Sequence, residues 1–125
     1  MIRVLLVDDQ PAVRRGLRLR LHLEPDMQVV GEAGSGKEAL PLAQTLAPDV
    51  VLMDVELPEM DGIEATATMR TVVPLSAVVM LSIHDDGQTR ARAQAAGAVA
   101  FVAKGSTTDQ LIATIRQVAG QAESR

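Results

Sequence analysis

Four positions in this chain carry residue types that could do chemistry together: the acidic pair Asp8-Asp9, then Asp54, Ser82 and Lys104. Each follows a short apolar run, namely Ile2 to Val7, Val50 to Met53, Ala77 to Leu81, and a run starting at Val99. If these runs are parallel strands of one sheet, their polar ends gather at its carboxyl edge, where ligands bind in open α/β sheets. Three carboxylates brought close together in a partly desolvated site repel one another by several kcal/mol. A hard divalent cation removes that conflict, and Mg²⁺ is held by one or two carboxylates together with water and phosphate oxygens. Lys104 adds an ammonium and Ser82 a hydroxyl. A cation, an ammonium and a hydroxyl around one carboxylate suit phosphoryl transfer, which depends on positioning and charge stabilisation. Taken singly, each residue has a plainer role: Asp54 capping a loop or helix, Asp8-Asp9 capping the first helix, Ser82 in a turn, Lys104 in solvent. Their joint occurrence at successive strand ends favours the site.

The elements that must position them read as strand then helix, five times over. Val50 to Met53 is an unbroken apolar run, as expected of a central strand buried on both faces. Pro11 suits the first turn of a first helix, with Val13, Leu17 and Leu21 on one stripe, ended by Glu24-Pro25-Asp26. A second strand spans Gln28 to Ala33, and a second helix Ser35 to Leu46. Pro41 lies inside that helix, where it should kink it or delay its start. A third helix starts near Gly62 with Asp61 as its N-cap. A fourth spans Asp86 to Ala96, closed by Gly97. Its apolar face is mainly Ala91, Ala93 and Ala95, so it should bury little and be a candidate moving part. Val99 to Val102 is the fifth strand. A fifth helix opens at Ser106 with Asp109 three residues on, and buries Leu111, Ile115 and Val118. The tail after Gly120 reads as a frayed end or the start of a linker. This alternation implies right-handed crossovers and a doubly wound parallel sheet covered on both faces.

Composition narrows the function classes. A chain of 125 residues, 47% hydrophobic and 22% charged, suits one globular domain. It has no cysteine, which fits the cytoplasm and leaves neither disulfides nor thiolate metal sites. A formal charge of -4 gives no electrostatic footprint for nucleic acid, and Phe101 is the only aromatic residue on which a base could stack. No apolar run is long enough to span a membrane, and the N-terminus does not read as a signal peptide.

Taken together, LLVDD at 5–9, LMDVELPEMDG at 52–62, LS at 81–82 and FVAK at 101–104 resemble the receiver domain of bacterial two-component response regulators. EPDMQVVGEA, LSIHDD and AGAVAFVAKGSTTDQL are similar to the NarL/FixJ subfamily. The resemblance covers essentially the whole chain, with residues 1–120 as the receiver and 121–125 as tail or linker. It implies a flavodoxin-like (βα)5 fold with strand order 2-1-3-4-5. It further implies that Asp54 accepts a phosphoryl group from a sensor histidine kinase, and that Asp8, Asp9, Asp54 and the backbone carbonyl of Glu56 serve Mg²⁺. Ser82 and Lys104 would hold the phosphate, and Ser82 and Phe101 would act as the switch. Such a chain is a phosphoacceptor signalling domain rather than an enzyme in the usual sense. Its output would be homodimerisation on phosphorylation, or control of DNA binding through an output domain absent from this chain.

Three residues depart from the family pattern. Gly105 follows Lys104 where many receivers have proline, so a trans peptide is expected there. Ile83 is bulkier than the residue common beside the switch hydroxyl and should narrow access to Asp54. Replacing it with alanine should then speed dephosphorylation. The third is Pro41. Two rival readings remain. Gly31 to Lys37 nearly matches the phosphate loop of nucleotide hydrolases, but Glu38 stands where a hydroxyl is needed, and Ser35-x-x-Glu38 is equally a capping box. A pseudo-receiver acting only as an interaction module is the other, against which the intact acids and lysine weigh. His22 and His84 lack a metal-ligand spacing partner and read as surface residues, His84 near enough to the site to tune water access.

Overall fold

The computed structural model describes residues 1–84 and 86–123. Asp85 within LSIHDD and the last two residues of the tail lie outside the described residues. Five strands form one parallel sheet of order β2-β1-β3-β4-β5: β1 (Ile2–Val7), β2 (Met27–Ala33), β3 (Val50–Asp54), β4 (Ala77–Ser82) and β5 (Ala100–Ala103). The helices are α1 (Pro11–His22), α2 (Gly36–Leu46), α3 (Gly62–Val72), α4 (Gly87–Ala96) and α5 (Thr108–Glu123).

Because successive strand side chains point to opposite faces, the sheet sorts its apolar residues into two layers. Leu5, Val7, Val51, Met53, Val78 and Met80 face α2, α3 and α4, meeting Ala39, Ala43, Ile63, Ala65, Met69 and Ala93. Val4, Leu6, Val50, Leu52, Val79 and Leu81 face α1 and α5, meeting Leu21, Leu111, Ile112, Ile115 and Val118. All five residues of β3 are buried, as a central strand with both faces covered requires. The fourth helix does bury little: Ala93 is its one buried residue.

Three local expectations change. Helix α2 runs unbroken through Pro41 from a start at Gly36, so the proline does not delay it. Pro41 is exposed, and the carbonyl whose hydrogen bond it forfeits belongs to the first turns of a surface helix, where water can serve it. Helix α5 is capped one residue later than Ser106. Thr107 Oγ1 accepts from Gln110 N–H and Gln110 Oε1 accepts from Thr107 N–H, both at 3.2 Å. Gln110 has the length to reach back in a reciprocal box, whereas Asp109 turns outward to Arg20 at 3.0 Å. The same helix continues through Gly120 to Glu123, past the point where the sequence suggests a tail. A single glycine near a helix end costs only about 1 kcal/mol, less than the packing of Val118 and Ala119 returns. No cis peptide bond occurs among the described residues.

Candidate functional site

Strand register sets the geometry before any side chain is considered. Leu6 pairs with Leu52 and Val7 with Met53, so Asp8 leaves β1 beside Asp54 at the end of β3. Asp54 pairs with Leu81, which brings Ser82 into the adjacent position on β4. Ser82 pairs with Ala103, and Lys104 N–H donates to Ser82 O at 2.8 Å, closing the row.

Ligand atoms of Asp8, Asp9 and Asp54 all lie within 4.8 Å of one another. Asp8 and Asp54 are each only 2% exposed, whereas Asp9 stands in solvent. Lys104 Nζ bridges the two buried acids, 3.0 Å from Asp54 Oδ2 and 3.2 Å from Asp8 Oδ2. Backbone amides hold the remaining oxygens: Gln10 N–H donates to Asp8 Oδ1 at 2.9 Å, and Glu56 N–H to Asp54 Oδ1 at 3.2 Å. Arg14 Nη1 donates to Asp8 O at 2.5 Å, fixing the turn that aims the acid pair.

Burial pushes the Asp54 carboxyl up to about 7, with the neighbouring Asp8 charge adding to the rise and the Lys104 hydrogen bond opposing it. Burial alone would lower Lys104, but its hydrogen bonds and charge contacts with Asp54 and Asp8 outweigh that and hold its pKa above the ordinary lysine value. The site therefore carries more negative charge than one lysine neutralises. Its donor set is oxygen only, close-set and partly buried, which fits Mg²⁺ rather than a thiophilic or imidazole-preferring metal.

The structure thus brings together Asp8, Asp9, Asp54 and Lys104 on one rim. Ser82 shares the rim and is fully buried, but its hydroxyl donates to Glu56 Oε1 at 3.0 Å. Glu56 follows β3 in the loop, its amide on Asp54 and its carboxylate on Ser82. Phe101 lies half-buried on β5, with the Arg90 guanidinium 4.6 Å above its ring. Ile83 is 68% exposed, so the greater part of its side chain faces solvent. His22 and His84 are both exposed.

Two contributions were not legible as such. One is the side chain of Glu56, since sequence marks a loop acid without saying where it points. The other is Gly62, at the first position of α3, where a Cβ would stand 1.9 Å from Asp54 O. A poor helix former at the start of a helix is the signal that could have found it. Gly62→Ala must push α3 away from β3, and is expected to cost about 3 kcal/mol in chemical denaturation.

The nucleotide-hydrolase reading fails on local bonding. Gly34 N–H donates to Glu38 Oε2 and Glu38 N–H donates to Ser35 Oγ, both at 3.2 Å. Two of the amides that would cradle phosphate are taken, one of them by a carboxylate that repels it.

Comparison with known proteins agrees with this geometry. The family described as response regulator receiver domain matches residues 4–116. The chain is 41% identical over 122 residues to response regulator GacA of Pseudomonas aeruginosa, covering 97% of this chain and 57% of that protein. The chain thus spans little more than half the length of that curated relative. The response regulator domain of Thermotoga maritima CheB superposes with a TM-score of 0.89 at 36% identity, covering 96% of this chain and 97% of that one. A LuxR-family two-component response regulator from Aurantimonas sp. SI85-9A1 gives 0.91 at 34%, covering 95% and 85%. No helix among the described residues is long and apolar enough to cross a membrane.

Proposed function

The chain belongs to the response regulator receiver domain family, NarL/FixJ-like within it, and on that premise we propose that Asp54 is its phosphoacceptor. The observation that carries this reading is the Lys104 ammonium held between the two buried acids, Asp54 and Asp8. The donor is a phosphohistidine on a sensor histidine kinase. An Asp54 oxygen attacks phosphorus, the P–N bond breaks, and its electron pair returns to the imidazole nitrogen. The product is an acyl phosphate on Asp54.

Asp8, Asp9, Asp54 and the backbone carbonyl of Glu56 are the groups that would hold Mg²⁺. When bound, it keeps the carboxylates ionised and offsets charge on the transferring oxygens. Lys104 supplies the protein's own positive charge and moves from the carboxylates onto a phosphoryl oxygen. Ser82 donates its hydroxyl to another. Amides of Gln10 and Glu56 keep the two acids aimed during this exchange.

Ser82 and Phe101 form the switch. Helix α4, whose one buried residue is the small Ala93, costs little to move, and it presents Arg90 over Phe101. Phosphorylation therefore biases a surface of α4, β5 and α5 by favouring one of two arrangements. That surface controls homodimerisation and, through an attached output domain, DNA binding. Residues 1–120 are the receiver, with α5 running on past them to Glu123. The protein works in the cytoplasm, where the kinase domain and Mg²⁺ are found.

Phosphorylation of the wild type and of Asp54→Asn with acetyl phosphate, followed by intact mass and by association state, tests this function. The wild type should gain one phosphoryl group in the presence of Mg²⁺ and change its association. Equal labelling of Asp54→Asn would overturn the assignment.

A further inference from the structure

Ser82 has a single hydroxyl proton, and that proton is committed to Glu56. Its oxygen donates to Glu56 Oε1 at 3.0 Å and accepts from His84 N–H at 2.9 Å. Ser82 has no exposed surface, so water reaches this bond only from the Glu56 side. A hydrogen bond to a carboxylate is roughly twice as strong as one between neutral groups. Glu56 also holds the acceptor acid through its own amide, at 3.2 Å from Asp54 Oδ1. Its carboxylate lies toward solvent, with His84 Nε2 3.8 Å from Oε1. One residue therefore touches both groups that must cooperate on a phosphoryl group.

We propose that Glu56 is a positioning residue whose carboxylate latches the Ser82 hydroxyl in the resting arrangement and must release it before Ser82 can donate to a phosphoryl group on Asp54. The proposal rests on Asp54 being the acceptor. A hydroxyl that is released for only a fraction of the time lowers the apparent affinity for a phosphoryl group by that fraction. The latch therefore deepens the resting state and raises the affinity a phosphoryl group must bring to displace it. It also separates two effects a carboxylate could have there. Repulsion of an incoming anion would act with or without Ser82; a latch acts only through Ser82.

Beryllofluoride, a tetrahedral stand-in for the phosphoryl group, tests this on the whole chain in the presence of Mg²⁺. Its affinity and the His84 amide proton shift are followed by NMR in wild type, Glu56→Gln and Glu56→Ala, each with and without Ser82→Ala. Glu56→Ala is expected to bind about five- to thirtyfold tighter than wild type. Glu56→Gln, which keeps a neutral acceptor at the same length, should gain less. Both gains should vanish in the Ser82→Ala background. Because His84 N–H reports on the position of the Ser82 oxygen, its resonance in unliganded Glu56→Ala should already lie partway toward the bound position. An unchanged affinity in Glu56→Ala, or a gain undiminished by Ser82→Ala, overturns the latch while leaving the acceptor assignment standing. Wild-type protein that fails to bind beryllofluoride at all overturns the acceptor assignment, and the latch with it.

Discussion

In chelator at pH 8, Asp54→Asn is expected to be more stable than the wild type by about 2 kcal/mol. The Asp54 carboxyl is raised from 3.8 to about 7, chiefly by burial, so the folded state favours the protonated acid. Between those two values the folded chain binds more protons than the unfolded chain, and stability falls as pH rises. The stabilising contribution of a neutral Asp54 is therefore fully present near pH 4 and lost through pH 7. Asparagine keeps the neutral form at every pH, while its weaker bond to Lys104 subtracts part of the gain. Urea denaturation at pH 5 and pH 8 measures the difference: it should be small at the lower pH and grow at the higher. Added Mg²⁺ should stabilise the wild type far more than the variant, because Asp54 belongs to the cluster that would bind it. A difference between the two proteins that does not change with pH would contradict the account.

Lys104→Met acts in the opposite direction. Its Nζ is the shared partner of Asp8 and Asp54, and methionine fills a similar volume without the charge. Removing one side of a buried ion pair leaves the remaining charges unpaired, a loss of about 3 kcal/mol at pH 8. At pH 5 the loss should shrink, since a protonated Asp54 has less need of the ammonium. Adding Asp54→Asn to Lys104→Met should recover part of the loss, a coupling that a double-mutant cycle reads directly. Phosphoryl transfer to Lys104→Met should slow by about a hundredfold, the usual cost of removing one preorganised donor from developing charge. Unchanged stability at both pH values would mean that the lysine is not held as the structure describes.

The sequence made the arrangement of the site readable because it is written in runs of residues. Apolar strands alternate with helical stripes, and four of the five strand ends are marked by a polar residue, so Asp8, Asp54, Ser82 and Lys104 are identifiable before any contact is known. Parallel pairing then places them on one rim without further information. The strand order itself came from family resemblance, since alternation permits several orders. What escaped depends on directions that periodicity does not encode. Whether Thr107 or Ser106 caps α5 is settled by the reach of Gln110 against Asp109. Pro41 looked disruptive, yet α2 carries it on an exposed surface. The Glu56 carboxylate and the close approach at Gly62 are local packing facts, and a sequence names such residues without stating their contacts.

Borohydride reduction of the Mg²⁺-phosphorylated chain, followed by peptide mass mapping, tests the central claim most directly, because it converts an acyl phosphate on aspartate to homoserine and so marks the acceptor. Of the 16 acidic residues, only Asp54 should be converted, and only when Mg²⁺ is present. Conversion at Asp8, Asp9 or any other acid, or equal conversion in chelator, would contradict it.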